Sequence, residues 1–215
     1  MKELVLALDT SAGTAVAVAG DGVVLAARVV DDTRSHAERV APLIREALAE
    51  AGATVHDLTL IAVGMGPGPF TGLRVGIATA ATLATVTPVP LLHVGSLDVI
   101  AAGAAAQGVA GEFLAVLDAR RKEVYWARYD ATGRRVEGPG VSPPAALPAL
   151  PAVGPGAALC PQATHVDVRP VDVTFLATHP RSFADVGPEP LYLRRPDAEV
   201  STRRKSALAA TERSK

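Results

Sequence analysis

One stretch gathers residue types that could hold a ligand: Gly64-Met65-Gly66-Pro67-Gly68-Pro69-Phe70-Thr71-Gly72-Leu73-Arg74. It follows an apolar run, Leu58 to Val63, that reads as a buried strand. Glycine serves where backbone must take positive φ or let another group come close, and Pro67 and Pro69 stiffen the loop between the glycines. Thr71 is placed to cap a helix from about Gly72 to Thr85. A strand, a glycine loop and a helix N-terminus can together cradle an anion. The string is not a P-loop, because no Gly-Lys-Ser/Thr follows the glycines. It is not the dinucleotide fingerprint either, because three residues rather than two separate Gly68 from Gly72. A tight strand-to-helix connection without a ligand is the equally open alternative. Two aspartates, Asp9 and Asp118, each close an apolar strand. Strand ends are where ligand sites of α/β sheets gather, but aspartate also bonds local amides in turns.

These residues need a frame. Leu4 to Leu8 reads as a strand ending at Asp9-Thr10-Ser11, and Thr14 to Ala19 as a second. Gly20-Asp21-Gly22 signals a hairpin into a third strand, Val23 to Val30. A helix follows from about His36 to Ala51, with Val40, Leu43, Ile44, Ala47, Leu48 and Ala51 on one face and Gly52 closing it. After strand 58–63 and the glycine loop comes the helix from Gly72, in which Gly72, Gly76, Ala80 and Ala84 fall four apart. That spacing leaves one face nearly bare and invites close approach by a second helix, while Leu73, Ile77 and Leu83 supply apolar bulk on the rest of the helix. Leu91 to Val94 is a short strand, and Ser96 is placed to cap an alanine-rich helix ending near Gln107-Gly108. The order is βββαβα plus one strand and one helix.

The pattern then restarts: strand Phe113 to Leu117, Asp118, a turn at Ala119 to Lys122, a strand from about Glu123 to Tyr129, a Thr132-Gly133 turn and a short third strand. From Glu137 to Pro161 prolines and alanines dominate and the repeat degenerates, although Val153 to Ala158 reads as a residual strand-to-loop turn. Leu191 to Arg194 reads as a last strand or docking segment, and beyond Pro196 the chain is charged and apolar-poor, which predicts disorder. The expected organisation is a lobe over 1–108, a reduced lobe over 109–195 and a tail over 196–215.

The 215 residues are 49% apolar, enough for a sizeable core, and only 4% aromatic, which favours close packing of small side chains. A net charge of −1 gives no global basic field for nucleic acid. The lone Cys160 excludes an internal disulfide. No stretch has the roughly 20 apolar residues of a membrane helix, and Lys2-Glu3 leads straight into a short strand, so a cytoplasmic protein without a signal peptide is expected.

The duplicated pattern resembles the actin/sugar-kinase/Hsp70-like ATPase (ASKHA) superfamily, an α/β actin-like fold of βββαβα lobes, here with the second lobe reduced. Four strings narrow the resemblance: Leu6-Ala7-Leu8-Asp9-Thr10-Ser11, Ser35-His36-Ala37-Glu38-Arg39, Gly66 to Arg74, and Leu117-Asp118-Ala119-Arg120-Arg121-Lys122-Glu123-Val124-Tyr125. With the closing Pro190-Leu191-Tyr192-Leu193-Arg194, they are similar to the TsaB (YeaZ) family. The resemblance implies a non-catalytic dimerisation subunit for threonylcarbamoylation of tRNA adenosine-37. Its partners would be a TsaD-like catalytic paralogue and a TsaE-like ATPase, with a homodimer in isolation and tRNA met only through the complex. It implies pairing through helices 36–51 and 72–85, with Arg39, Leu43, Ala47, Leu73, Arg74, Gly76, Ile77, Ala80 and Ala84 at the interface. Arg39 and Arg74 would meet the partner or close a pair with Glu38 or Glu46. Asp9, Thr10, Ser11, Gly66, Gly68, Thr71 and Gly72 would form a vestigial nucleotide pocket, or one sharing ATP or ADP with the partner.

Other activities fit less well. A catalytic transferase of this kind holds metal through His-x-x-x-His, and histidines 36, 56, 93, 165 and 179 include no pair four apart. A small-molecule kinase would use Asp9 for hydrated magnesium and Asp118 near the phosphates or as base, but needs a glycine-rich adenosine loop in the second lobe, of which the Pro/Ala-rich 137–161 offers little. A peptidase lacks Gly-x-Ser-x-Gly and His-Glu-x-x-His. Arg120-Arg121-Lys122 and Arg203-Arg204-Lys205 are the basic clusters, and short runs like these are ordinarily solvated charge.

Overall fold

The computed structural model describes residues 3–31, 36–161 and 171–194, with the side chains of 36–38 left aside. The expected tail, the cluster at 203–205 and the Ser35 to Glu38 side chains therefore lie outside the described residues.

Strands β1 (Leu4–Asp9), β2 (Thr14–Gly20) and β3 (Val23–Val30) form an antiparallel meander, and β4 (Leu60–Gly64) and β5 (Leu91–Val94) add parallel to β1. The order is β3-β2-β1-β4-β5. Helices α1 (His36–Glu50) and α2 (Phe70–Val86) provide the crossovers into β4 and β5, and α3 (Ser96–Ala106) follows β5. A second sheet, ordered β8-β7-β6-β9, consists of β6 (Phe113–Arg120), β7 (Glu123–Tyr129), β8 (Arg135–Ser142) and the two-residue β9 (Ala152–Val153) parallel to β6. This is the actin-like α/β fold, with the strand meander repeated and the second sheet shortened.

Side-chain size sorts the two faces of the first sheet. Leu6, Leu8, Val16, Val18, Ile61 and Val63 pack with Val40, Leu43, Ile44 and Ala47 of α1 and Ala80 of α2. Ala7, Ala15, Ala17, Ala19 and Ala62 alternate with them and face a core that includes Leu97, Ile100, Phe113 and Leu176. The alternation follows from the period of two along a strand. Alanines on that face let α4 (Val173–Thr178) lie close across β1 and β2. Periodicity does not reveal α4, because six residues are too few to show it. Its start is set by Asp172, whose Oδ1 accepts the Thr174 amide at 2.9 Å.

Other boundaries moved. Strand β4 begins at Leu60 rather than Leu58, after a 3-10 turn at Val55–Asp57. Helix α1 ends as expected: Gly52 takes φ 65°, and the Ala53 amide reaches back to the Leu48 carbonyl at 2.9 Å. The stretch from Glu137 is not degenerate throughout, since β8 runs to Ser142 despite Pro139. A proline is tolerated there because β8 lies at the sheet edge. Residues 191–194 form no strand and dock instead: the Leu191 amide donates to the Met65 carbonyl, and Arg194 Nη1 to the Ala119 carbonyl, each at 2.9 Å. Among the described residues no helix is long and apolar enough to cross a membrane.

Candidate functional site

Asp9 ends β1 fully inside the protein, 1% exposed. Its Oδ1 accepts the Ser11 amide at 2.7 Å and the Ser11 hydroxyl at 2.5 Å. Its Oδ2 accepts the Ser96 hydroxyl at 2.6 Å. Ser96 was expected to cap α3. It is instead the first helical residue after Gly95, and its hydroxyl ties two loops together: Oγ donates to Asp9 and accepts the Gly66 amide at 3.0 Å. The Ser96 amide donates back to the Gly66 carbonyl at 2.8 Å. Every residue from Gly64 to Gly68 is buried, as are Thr10 and Ser11.

The glycines here are required by proximity. A Cβ on Gly64 would stand 1.8 Å from Asp9 Oδ2, and one on Gly68 2.8 Å from the Ser11 Cα. The loop lies directly on the end of β1, and the Met65 and Gly66 amides are already satisfied by Val94 and Ser96. Pro67 and Pro69 have no amide hydrogen to offer. The sequence-predicted pocket residues Asp9, Thr10, Ser11, Gly66 and Gly68 thus meet, but on one another. Thr71 is a correction: it is an exposed residue inside α2 and caps nothing. Pro69, with φ −60° and ψ 128°, is the N-cap, and its carbonyl accepts the Leu73 amide at 3.0 Å.

The bare stripe on α2 also faces elsewhere than expected. Gly72, Leu73, Gly76 and Ala80 are buried against the chain's own sheet, and Ala84 is half-buried over the same core. A Cβ on Gly76 would sit 2.3 Å from Thr10 Oγ1. Leu43 and Ala47 are likewise core residues of α1. These six buried positions, Gly72 included, serve internal packing because the sheet fills the space a partner would need. Of the residues assigned to the interface, Arg39 and Arg74 are exposed and Ile77 is half-buried.

The outward face of α2 is made of different residues. Thr71, Ala78, Ala81, Thr82 and Thr85 are exposed, and Arg74 is the helix's one charged residue. The hydroxyls of Thr82 and Thr85 donate to the carbonyls four residues back at 2.7 and 2.8 Å, which turns their polarity inward and leaves methyls outside. Between α1 and the end of α2 runs a groove of about 380 Å³ lined by Ile44, Leu48, Ala49, Val55 and Leu83 among others. The result is a surface of small side chains along α2 that borders an aliphatic groove whose one charged lining residue is Arg45.

Asp118 does not mirror Asp9. It is half-exposed, accepts the Arg120 amide at 2.6 Å and pairs with the Arg120 guanidinium at 3.2 Å, so it holds the β6–β7 turn. That turn keeps Arg120, Arg121 and Lys122 in left-handed conformation, with φ 53–63°. A second acidic site escaped the sequence reading: Asp98 in the first turn of α3 accepts the Tyr129 hydroxyl at 2.8 Å and lies 3.3 Å from Arg135 Nε. Burial raises its pKa, opposed by Tyr129 and Arg135. Among the described residues no group of three or more His, Cys, Asp and Glu could hold a metal ion.

Residues 24–200 match the family model described as "TsaD: tRNA N6-adenosine threonylcarbamoyltransferase". The chain is 43% identical to an uncharacterized protein of Mycobacterium tuberculosis over 91% of its own length and 93% of that protein. It is 39% identical to the tRNA threonylcarbamoyladenosine biosynthesis protein TsaB of Escherichia coli, over 58% of this chain and 54% of that one. Among solved structures, YeaZ from Pseudomonas aeruginosa superposes with a TM-score of 0.74 at 28% identity, covering 89% of this chain and all (100%) of that one.

Proposed function

Because the chain belongs to the TsaB/YeaZ family, we propose that it is the non-catalytic dimerisation subunit of a tRNA threonylcarbamoyladenosine transferase complex. It docks on a TsaD-like paralogue that carries out the transfer to adenosine-37, alongside a TsaE-like ATPase. The observation that carries this reading is the outward face of α2, which is exposed, small and nearly uncharged along a 17-residue helix. Surfaces of that kind suit helix-to-helix packing, and in isolation the same face can pair with a second copy about a twofold axis. The inner end of α2 supports the same reading, because both carboxyl oxygens of Asp9 are occupied by hydroxyl and amide donors of the chain itself. A carboxylate so held is a structural group rather than a free base or a ready metal ligand. A nucleotide shared with the partner would have to bind at the rim of this closed loop. The test is modification of tRNA by purified TsaD-like and TsaE-like partners with and without this chain, each component also assayed alone for ATP hydrolysis. The expected result is no activity from the chain alone and dependence of the partner on it. Turnover of ATP with a small acceptor by the chain alone would replace the scaffold with a kinase.

A further inference from the structure

Two side chains one turn apart on α2, Phe70 and Arg74, meet the distant Tyr192 on the surface beside the first turns of that helix. The Arg74 guanidinium carbon stands 3.8 Å from the centroid of the Phe70 ring. The Phe70 and Tyr192 rings are 4.8 Å apart and tilted by 37°. Arg74 Nε donates to the Tyr192 hydroxyl at 3.3 Å. Phe70 is 42% and Tyr192 39% exposed, so this cluster is not core.

Stacking on Phe70 and the hydrogen bond from Nε restrain the guanidinium without using its two terminal nitrogens, and the residue is exposed. Among the described residues no carboxylate pairs with Arg74. Helix α2 has no acidic residue in its first turn, so its positive end also lacks a complement within the helix. An exposed cation stacked on Phe70 and hydrogen-bonded to Tyr192 has the composition of an interface anchor, and its fork matches a carboxylate bidentately. Nucleic acid is the weaker fit, because phosphate binding draws on several cations together. Here α2 has no other charge and the whole chain carries −1. The cluster also continues directly into the small neutral face of the same helix.

We propose that Phe70, Arg74 and Tyr192 form a preorganised anchor that grips an acidic side chain of the paralogous protein partner, an inference that rests on the docking role proposed above. Tyr192 belongs to the closing segment that is tied to the glycine loop through Leu191 and to the second sheet through Arg194. The second half of the chain therefore supplies part of the first lobe's binding face.

Titration calorimetry of the full chain with its purified paralogous partner, at low and high salt, tests this. Arg74→Gln weakens association about tenfold or more and flattens its salt dependence. Arg74→Lys restores affinity only in part, because an ammonium lacks the fork. Tyr192→Phe, which keeps the ring and loses the hydroxyl, gives a smaller loss of roughly two- to fivefold. Thermal unfolding of the three variants stays at the wild-type temperature. Wild-type affinity in Arg74→Gln overturns the anchor while leaving the docking role standing. Failure of the wild type to bind overturns the docking role itself. Loss of tRNA affinity by the assembled complex of Arg74→Gln, with partner association unchanged, overturns the carboxylate assignment in favour of phosphate.

Discussion

Helix α2 has two small-residue faces with opposite fates. The inward one, Gly72, Gly76 and Ala80, is pressed against the chain's own sheet so closely that a methyl on Gly76 would collide with Thr10. The outward one, Ala78, Ala81, Thr82 and Thr85, meets solvent, with its threonine hydroxyls bonded back into the helix. Small size serves a different end on each side. Inside, it lets the glycine loop and α2 close over Asp9; outside, it makes a surface flat enough for another helix. The closed side holds Asp9 in hydrogen bonds within the chain, and the open side is exposed.

Substitutions that exchange the two faces sharpen this contrast. The largest effect is expected from Gly76→Leu. Its side chain has no room beside Thr10, and the variant should lose about 3 kcal/mol in urea unfolding or fail to fold, as overpacked cores do. Unchanged stability would place that face outward after all. Next comes Ser96→Ala, which strips Asp9 Oδ2 and the Gly66 amide of a shared partner. A loss of about 1–3 kcal/mol follows if the buried groups stay unsatisfied, again read by denaturant unfolding. On the open face, Ala81→Arg should leave the unfolding temperature where it is and weaken partner binding at least about tenfold, or 1.4 kcal/mol.

The smallest effect concerns a turn far from both faces. The Thr132 hydroxyl and amide, with Arg134, hold the Asp130 carboxyl down at about 2. The unfolded chain then binds more protons than the native one below the ordinary aspartate value of about 3.9. The stabilisation is complete above that value and is lost as pH falls through about 2. Carbon-detected NMR titration should find the midpoint near 2 in the wild type and higher in Thr132→Val. A midpoint at the ordinary aspartate value would remove the turn's hold on the carboxyl.

Much of the fold was legible because it rests on period and punctuation. The meander of β1 to β3, the aspartate that ends β1 and the C-cap at Gly52 are local signals that tertiary contacts did not override, whereas Asp118 lies inside β6, which pairs on to Arg120 rather than stopping at Leu117. The glycine loop was legible as a place of close approach, while residues 191–194 read equally as a last strand or a docking segment, and the structure shows the second. Which side of α2 faces inward was not. Both faces carry small residues, and only the sheet's position decides between them. Helix α4 was too short to register, and β8 was masked by a proline that an edge strand accommodates. The Phe70–Arg74–Tyr192 cluster joins residues 118 apart for the hydrogen-bonded pair, a distance no pattern in sequence bridges.

The most direct test compares the partner affinity of two variants in one titration series, Ala81→Arg on the open face and Ser96→Ala at the closed end, at a temperature where both remain folded. The expected result is at least about a tenfold loss for Ala81→Arg and wild-type affinity for Ser96→Ala. The reverse pattern, binding indifferent to Ala81 and dependent on Ser96, would contradict the account and make the Asp9 end the working site.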